Sequence, residues 1–385
     1  MPNHNCQISF FLLLMVLFFG GCKDPFEPEF AETDISQLVV EGFVETNRAE
    51  SKILLSRTTP ISNATDQLME SGAQVSLESD SGTQWDFNET ALGVYTHTGF
   101  FDTQKKYKLK IVLKNNQQYT SEELMPIVSP EIEEINFRKN EEGVEILLST
   151  KGTSTSEYFL WEYAEHWIFR PRIQTIYIYN PETKEVDFRK PEQSISLCWT
   201  DNLFPKIVLE NAGRYSGNFI FQKPIVKIPN LSEKLMQRYS INVRQKAISK
   251  EAFDFWEIQR KNSDDIGGIF SPLPSLIGGN FKNISNAAEN VIGFVSMGQS
   301  SEKRLYINVA DVFPWPVFIP EYEFCQVETT PTFMANYEFK FGSGVFIPAV
   351  PEIAGTTTIG YKAASTACTD CTLRGYNVKP VFWED

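Results

Sequence analysis

KYKLKIVL, Lys106 to Leu113, settles the fold class of this chain. Tyr107, Leu109, Ile111 and Leu113 recur at every second position, with Lys106, Lys108 and Lys110 between them. A period of two places the apolar side chains on one face of a strand and the lysines on the other, the pattern of a half-buried antiparallel strand. Asn115-Asn116 and another strand-like run follow, so the segment predicts a hairpin. Upstream, LVVEGFVET (38–46), SKILLSRT (51–58), AQVSLESDSG (73–82) and GVYTHT (93–98) are short, apolar-rich and separated by Gly, Asn, Asp and Ser. Strands at that spacing over residues 35–128 predict an immunoglobulin-like β-sandwich. Gly42 and Gly93 read as bulge or turn positions.

Downstream, MPIVSPE (125–131) carries two prolines and marks a domain boundary. Strand patterns then resume in EIEEINF, GVEILLST, YFLWEYAEHWIF, QTIYIY, ISLCWTD, NFIFQ and RYSINVRQKAIS. The second β-rich domain, 129–385, therefore opens as a fibronectin type III-like sandwich over 129–249. One short helix follows at 250–262. Ser249 can cap it, Glu251 suits the positive end of its dipole, and Phe253 and Trp256 share a face that packs on the sheet. Residues 266–385 form a C-terminal β-rich, loop-rich extension packed on the second sandwich, with strand-like pieces at NVIGFVSM, KRLYINV, YEFKFG and TTTIGYK. The fold class is mainly β, two tandem sandwiches with that extension.

The N-terminus gives an address. Ile8 to Phe19 is an uncharged apolar run, Gly20-Gly21 are small, and Cys22 precedes KDPFEPE. The run is too short for a bilayer span, which needs about 20 residues, and suits the core of a secretory signal. A small-small-Cys ending resembles the lipobox of bacterial lipoproteins. Residues 1–21 thus read as a signal peptide, Cys22 as the lipid attachment site, and 22–34 as a lipidated, Pro-interrupted acidic tether. Phe19 stands where a lipobox usually has Leu, and MPNHNCQ has no Lys or Arg; the rival readings are an ordinary cleaved signal and an uncleaved anchor.

A formal net charge of −14 argues against nucleic acid, whose binding draws on Lys and Arg, and against electrostatic adhesion to anionic lipid. Beyond Cys6 and Cys22, the chain has Cys198, Cys325, Cys368 and Cys371. An even number in an exported protein reads as disulfides. Four cysteines allow three pairings, and the sequence does not choose. Cys368-Thr369-Asp370-Cys371 also has the spacing of a redox motif or half a zinc site, but no βαβ pattern precedes it and no second close pair accompanies it.

Catalytic signals are thin. His97 sits in a strand pattern and His166 in an aromatic run beside Glu162 and Glu165, where a structural histidine is expected over a base. Nucleophile-elbow, zincin, phosphate-loop and EF-hand motifs are missing. Asp264-Asp265 reads as a turn or a helix-end loop. No catalytic residue, metal site or cofactor is expected. FPWPVFIP (313–320) is uncharged, aromatic and Pro-interrupted, so it cannot be a central strand; Phe313, Trp315 and Phe318 are the candidate binding loop, with buried packing as the alternative.

In order and spacing, CKDPFEPE, LVVEGFVET with LLSRT, EAFDFWEIQRKN leading to GGIFSPLPSLIGGN, VIGFVSM, KRLYIN, CTDC and KPVFW make a pattern that runs through nearly all the chain after the signal. The chain resembles a family of Bacteroidota outer-membrane lipoproteins known as domain of unknown function 4249. The resemblance implies an immunoglobulin-like N-terminal domain, a lipid-anchored outer-membrane location, and service as an accessory to a TonB-dependent outer-membrane transporter. It carries over no catalytic residues. The expectation is a non-enzymatic surface binding protein; an envelope scaffold is the alternative, and a glycan or peptide hydrolase a third.

Overall fold

The computed structural model describes residues 36–59, 68–203, 206–264 and 278–384; the signal peptide, the tether and Cys22 lie outside the described residues. The chain divides into Met1–Ser36 and Gln37–Asp385, and the strands and helices of the described residues belong to the second unit. The protein is mainly β, as its alternation requires.

The N-terminal strands are β1 (Leu38–Glu45), β2 (Asn47–Arg57), β3 (Leu68–Met69), β4 (Gln74–Ser79), β5 (Gln84–Ala91), β6 (Val94–Phe100), β7 (Tyr107–Val112), β8 (Gln118–Ser121) and β9 (Ile127–Val128). The next nine are β10 (Ile132–Asn140), β11 (Gly143–Lys151), β12 (Tyr158–Phe169), β13 (Tyr177–Asn180), β14 (Glu185–Phe188), β15 (Cys198–Leu203), β16 (Val208–Asn211), β17 (Phe219–Pro229) and β18 (Arg238–Ile248). Helix α1 (Lys250–Asp264) follows, then β19 (Phe281–Asn283), β20 (Val295–Gln299), β21 (Ser301–Asn308), β22 (Pro331–Phe333), the short helix α2 (Tyr337–Phe341), β23 (Phe346–Ala354) and β24 (Thr357–Ser365).

KYKLKIVL becomes β7 with Tyr107, Leu109 and Ile111 buried and Lys108 and Lys110 exposed. The first region is one long sheet in the order β19-β8-β7-β4-β5-β6-β2-β1-β20-β9. Its bend lies in β5, whose first half pairs with β4 and whose end pairs with β6. Both sides of the bend feed a single core that includes Leu38, Ile53, Leu77, Tyr95, Leu109 and Tyr119. Gly93 makes the β5–β6 turn with φ +66°, where a Cβ would stand 2.6 Å from the Leu55 carbonyl oxygen, so only glycine fits.

Two strands of this sheet come from far downstream. β20 pairs in parallel with β1, and β19 pairs antiparallel with β8. Part of the segment expected to pack on the second region therefore completes the first. The physical reason is edge protection: without β19 and β20, β8 and β1 would present unpaired backbone groups.

The second region layers the sheet β10-β11-β17 against a sheet in which β15 and β16 flank one side of β12, followed by β18 and β21. One core gathers side chains of both sheets, among them Ile146, Leu148, Trp161, Ile228, Ile241 and Val243. Buried Trp161 donates from Nε1 to Gln245 Oε1 at 2.9 Å. YEFKFG, expected as a strand, is helix α2. Tyr337 and Phe341, one turn apart, bury together against Ala363 while Phe339 projects into solvent; that four-residue spacing is helical rather than alternating. The β22-β24-β23 sheet beside it completes the C-terminal part.

Ser249 caps α1 as expected: its Oγ accepts from the Ala252 backbone N–H at 3.2 Å. Ala252 and Phe253 bury against Leu160, Leu209 and Ile248, with Trp256 and Phe294 partly buried around them. Phe294 belongs to the first region, so α1 touches both.

The two regions are bonded at their crossings. Ser129 Oγ accepts from the Ala247 N–H at 2.7 Å, and the Pro130 carbonyl accepts from Gln245 Nε2 and Ser301 Oγ, each at 2.8 Å. Beside them the Glu45 carboxylate, 1% exposed, accepts from Ser300 Oγ at 2.6 Å and from its N–H at 3.1 Å.

Candidate functional site

Strand alternation builds the site. In β1, Leu38, Val40 and Val44 face the first core, which turns Glu41, Phe43 and Glu45 outward. In β18, Tyr239, Ile241, Val243 and Ala247 face the second core, which turns Arg244, Lys246 and Ile248 outward. The outward faces meet. Between them lies a hollow of about 280 Å³ lined by Glu41, Phe43, Leu160, Glu162, Lys246 and Trp256. A neighbouring hollow of about 390 Å³ shares Ile248 and Ser296 with it and reaches the start of α1 at Ser249 and Glu251. The cleft thus takes residues from β1, β2, β12, β18, β20 and α1, bringing together positions as far apart in the sequence as Glu41 and Ser296.

Most of its charges are answered within the protein. Lys246 Nζ bonds the Glu162 carboxylate at 2.5 Å and lies 5.0 Å above the Phe43 ring. Arg244 pairs with Glu302 at 2.5 Å. Glu41 is different: among the described residues its carboxylate has no hydrogen-bond or ion-pair partner. Lys52 stands opposite Phe43, diagonal to Glu41 in the β1–β2 register, without bridging to it. Burial alone pushes the Glu41 carboxyl above its ordinary value of 4.5.

That shift carries a stability consequence. A carboxyl whose folded pKa is raised costs stability once ionised, so the loss develops as pH rises from the ordinary value through the raised one. The charged groups around Glu41 are Glu45, Glu50, Lys52, Glu162, Arg244 and Lys246, and none of them offsets the burial. Glu41→Gln is expected to raise the thermal midpoint near pH 7 and to leave it unchanged below the ordinary value. A pair of calorimetric scans at the two pH values checks this; equal midpoints for both proteins near pH 7 would contradict it.

Other hollows are less suited. A hollow of about 560 Å³ lies on the outer face of β4, β7 and β8, but two of its three lysines are spent on surface pairs, Lys106 with Glu123 at 2.9 Å and Lys110 with Glu78. Another, of about 500 Å³ beside α1, gathers Lys206, Arg214 and Lys223 around Glu210, which Lys223 answers at 2.6 Å.

The residues singled out in the sequence fall in three places. Cys22 lies outside the described residues. The cysteines form two disulfides, Cys198–Cys371 and Cys325–Cys368, so the CTDC pair is a hub from which each cysteine reaches a different partner. The FPWPVFIP loop is split. Trp315 is 7% exposed and donates from Nε1 to the Ser232 carbonyl at 2.8 Å, whereas Phe313 is 79% and Phe318 51% exposed. Trp315 is thus a packing residue, and only the two phenylalanines are presented to solvent.

His166 and Glu165 point to opposite faces of β12. Glu165 is buried and accepts from Tyr239 OH at 2.7 Å, Lys234 Nζ at 2.6 Å and Asn202 Nδ2 at 3.1 Å. His166 packs edge-on against Phe382 at 4.6 Å, and burial lowers its pKa. A base pairing of the two is geometrically impossible. His97 Nδ1 sits 2.8 Å from the Asp86 carbonyl oxygen, a structural contact. No cluster of three His, Cys, Asp or Glu side chains able to hold a metal occurs among the described residues.

Glu41, Phe43, Lys246 and Trp256 were missed by sequence reasoning. A signal exists in LVVEGFVE, where Phe43 lies on the same face as Glu41 and Glu45. An aromatic residue on an otherwise acidic face marks a second packing surface, but alternation does not say what covers it.

The architecture defines a mainly β protein in which two layered regions, tied at their crossings, enclose a mixed-charge cleft. The model of a family described as a domain of unknown function (DUF4249) matches residues 23–304, and the chain belongs to that family. No curated relative matches the chain.

Proposed function

We propose that the protein is a lipid-anchored outer-membrane lipoprotein of the Bacteroidota type, displayed at the cell surface, that binds a small ligand and docks on a TonB-dependent transporter without catalysing a reaction. In this reading the first region is immunoglobulin-like and the second fibronectin-like, which the layering of sheets around one core supports. The signal ending at Cys22 supports the anchor, and the cleft supports ligand capture. The observation that carries docking is the exposure of three phenylalanines between residues 313 and 339: Phe313, Phe324 and Phe339 are 79%, 87% and 90% exposed. Exposed aromatic side chains are the residue type that protein interfaces concentrate and cover.

Lipidation is tested by metabolic labelling with a fatty acid. The expected result is label in the outer-membrane fraction and its loss, with release of the protein into the soluble fraction, in Cys22→Ala. An unlabelled wild-type protein would contradict the anchor.

A further inference from the structure

The cleft beneath α1 has one half-buried charge that the fold leaves unanswered among the described residues. Glu41 projects from β1 into the hollow with no partner among the described residues, while the neighbouring cations Lys246 and Arg244 are held by Glu162 and Glu302. A second carboxylate, Glu50, stands exposed at the rim. The walls are aromatic and aliphatic: Phe43, Trp256, Leu160 and Ile248. Phe43 already carries the Lys246 ammonium over its ring, so this surface accommodates a cation face-on. A half-buried carboxylate without a partner is unfavourable, and the group that relieves it is a cation brought within hydrogen-bond distance.

We propose that the cleft is a binding site for a small organic cation, an ammonium-headed ligand whose head pairs with Glu41 and whose apolar body lies against Trp256 and Leu160. A hollow of about 280 Å³ takes a ligand of roughly amino-acid to small-amine size. The assignment deepens the ligand-binding part of the reading above and rests on that part alone; it stands whether or not a transporter is the partner. An anionic ligand fits less well, because both bordering cations are already neutralised and Lys52 lies at the solvent edge.

The test is isothermal titration of the full-length protein, purified in detergent, with benzylamine and with benzyl alcohol. The two probes share an aromatic body and differ in the charged head. Benzylamine is expected to bind saturably and about tenfold or more tighter than the alcohol, the advantage of a charge-assisted pair in a partly desolvated site. Glu41→Gln should bring the ratio close to one, and this variant is expected to be at least as stable as the wild type near pH 7, so its loss is not unfolding. Trp256→Ala should weaken both probes alike. No saturable benzylamine binding up to about 10 mM, or a preference that survives Glu41→Gln, would overturn the assignment. Because the titration involves no membrane partner, its failure would leave the docking proposal untouched.

Discussion

Replacing Cys198 and Cys371 together by alanine is expected to lower the unfolding free energy by about 2–5 kcal/mol, the usual cost of losing a native disulfide. The bond closes a separation of 173 residues, and the loop-entropy relation gives about 5 kcal/mol for a ring of that size as the upper figure. Cys325–Cys368, with a separation of 43, gives about 4 kcal/mol on the same relation. The first bond also anchors the chain's end. Next to it the Trp199 N–H donates to the Tyr376 carbonyl at 2.8 Å and the Tyr376 N–H returns a bond at 2.9 Å. Phe382 and Trp383 then lie over His166 and Trp199 on the outer face of the second region. Denaturant titration of the double variant should show the loss together with exposure of Trp383, followed by tryptophan emission. An unchanged midpoint would mean that packing alone holds this end in place.

The second large effect is expected at Glu165. Its carboxylate, 1% exposed, is the shared acceptor of Tyr239, Lys234 and Asn202. Tyr239 is fully buried, and burial followed by the Glu165 charge pushes its phenol well above the ordinary range. Glu165→Ala would strand a buried hydroxyl and a partly buried ammonium, which costs about 3–5 kcal/mol when a buried pair is broken from one side. Glu162→Ala is the internal control. It lies three residues away on the opposite face, is itself exposed and has the single partner Lys246, so its loss is expected to cost clearly less than that of Glu165, which serves three donors. Equal losses at the two positions would show that the alternation assigned to β12 is wrong.

How much of this was legible beforehand can be argued from particular strands. Lys106–Leu113 carries its faces in its spelling, because in a half-buried strand every second side chain answers to water. Helix α1 was legible for a related reason: Ser249 and the Phe253–Trp256 spacing are local signals. What stayed hidden was long-range. Nothing in FKN (281–283) or VSMGQ (295–299) says that these strands return to pair with β8 and β1, since pairing partners are chosen by backbone edges that the side-chain pattern does not report. YEFKFG misled because aromatics favour strands by propensity, while Tyr337 and Phe341 were spaced for a helix. The cleft was illegible for the same reason as the topology. Each wall is an ordinary outward strand face, and it becomes a site only when two such faces are brought together.

The CTDC pair shows the same division. The sequence predicts disulfides and leaves three pairings open; the structure selects the one in which Cys368 and Cys371 diverge. The candidate loop divides further, with Trp315 drawn inward by its bond to Ser232 and Phe313 and Phe318 left outside.

The central proposal is that this protein docks on a transporter through its exposed phenylalanines. It is tested most directly by photo-crosslinking in intact cells, with a benzoylphenylalanine placed singly at Phe324 and at Phe339. The account predicts one discrete adduct from each position, containing the same TonB-dependent transporter in near-stoichiometric amount. Adducts spread over many envelope proteins, or none at either position, would contradict it and favour a scaffold or a free-standing binding protein.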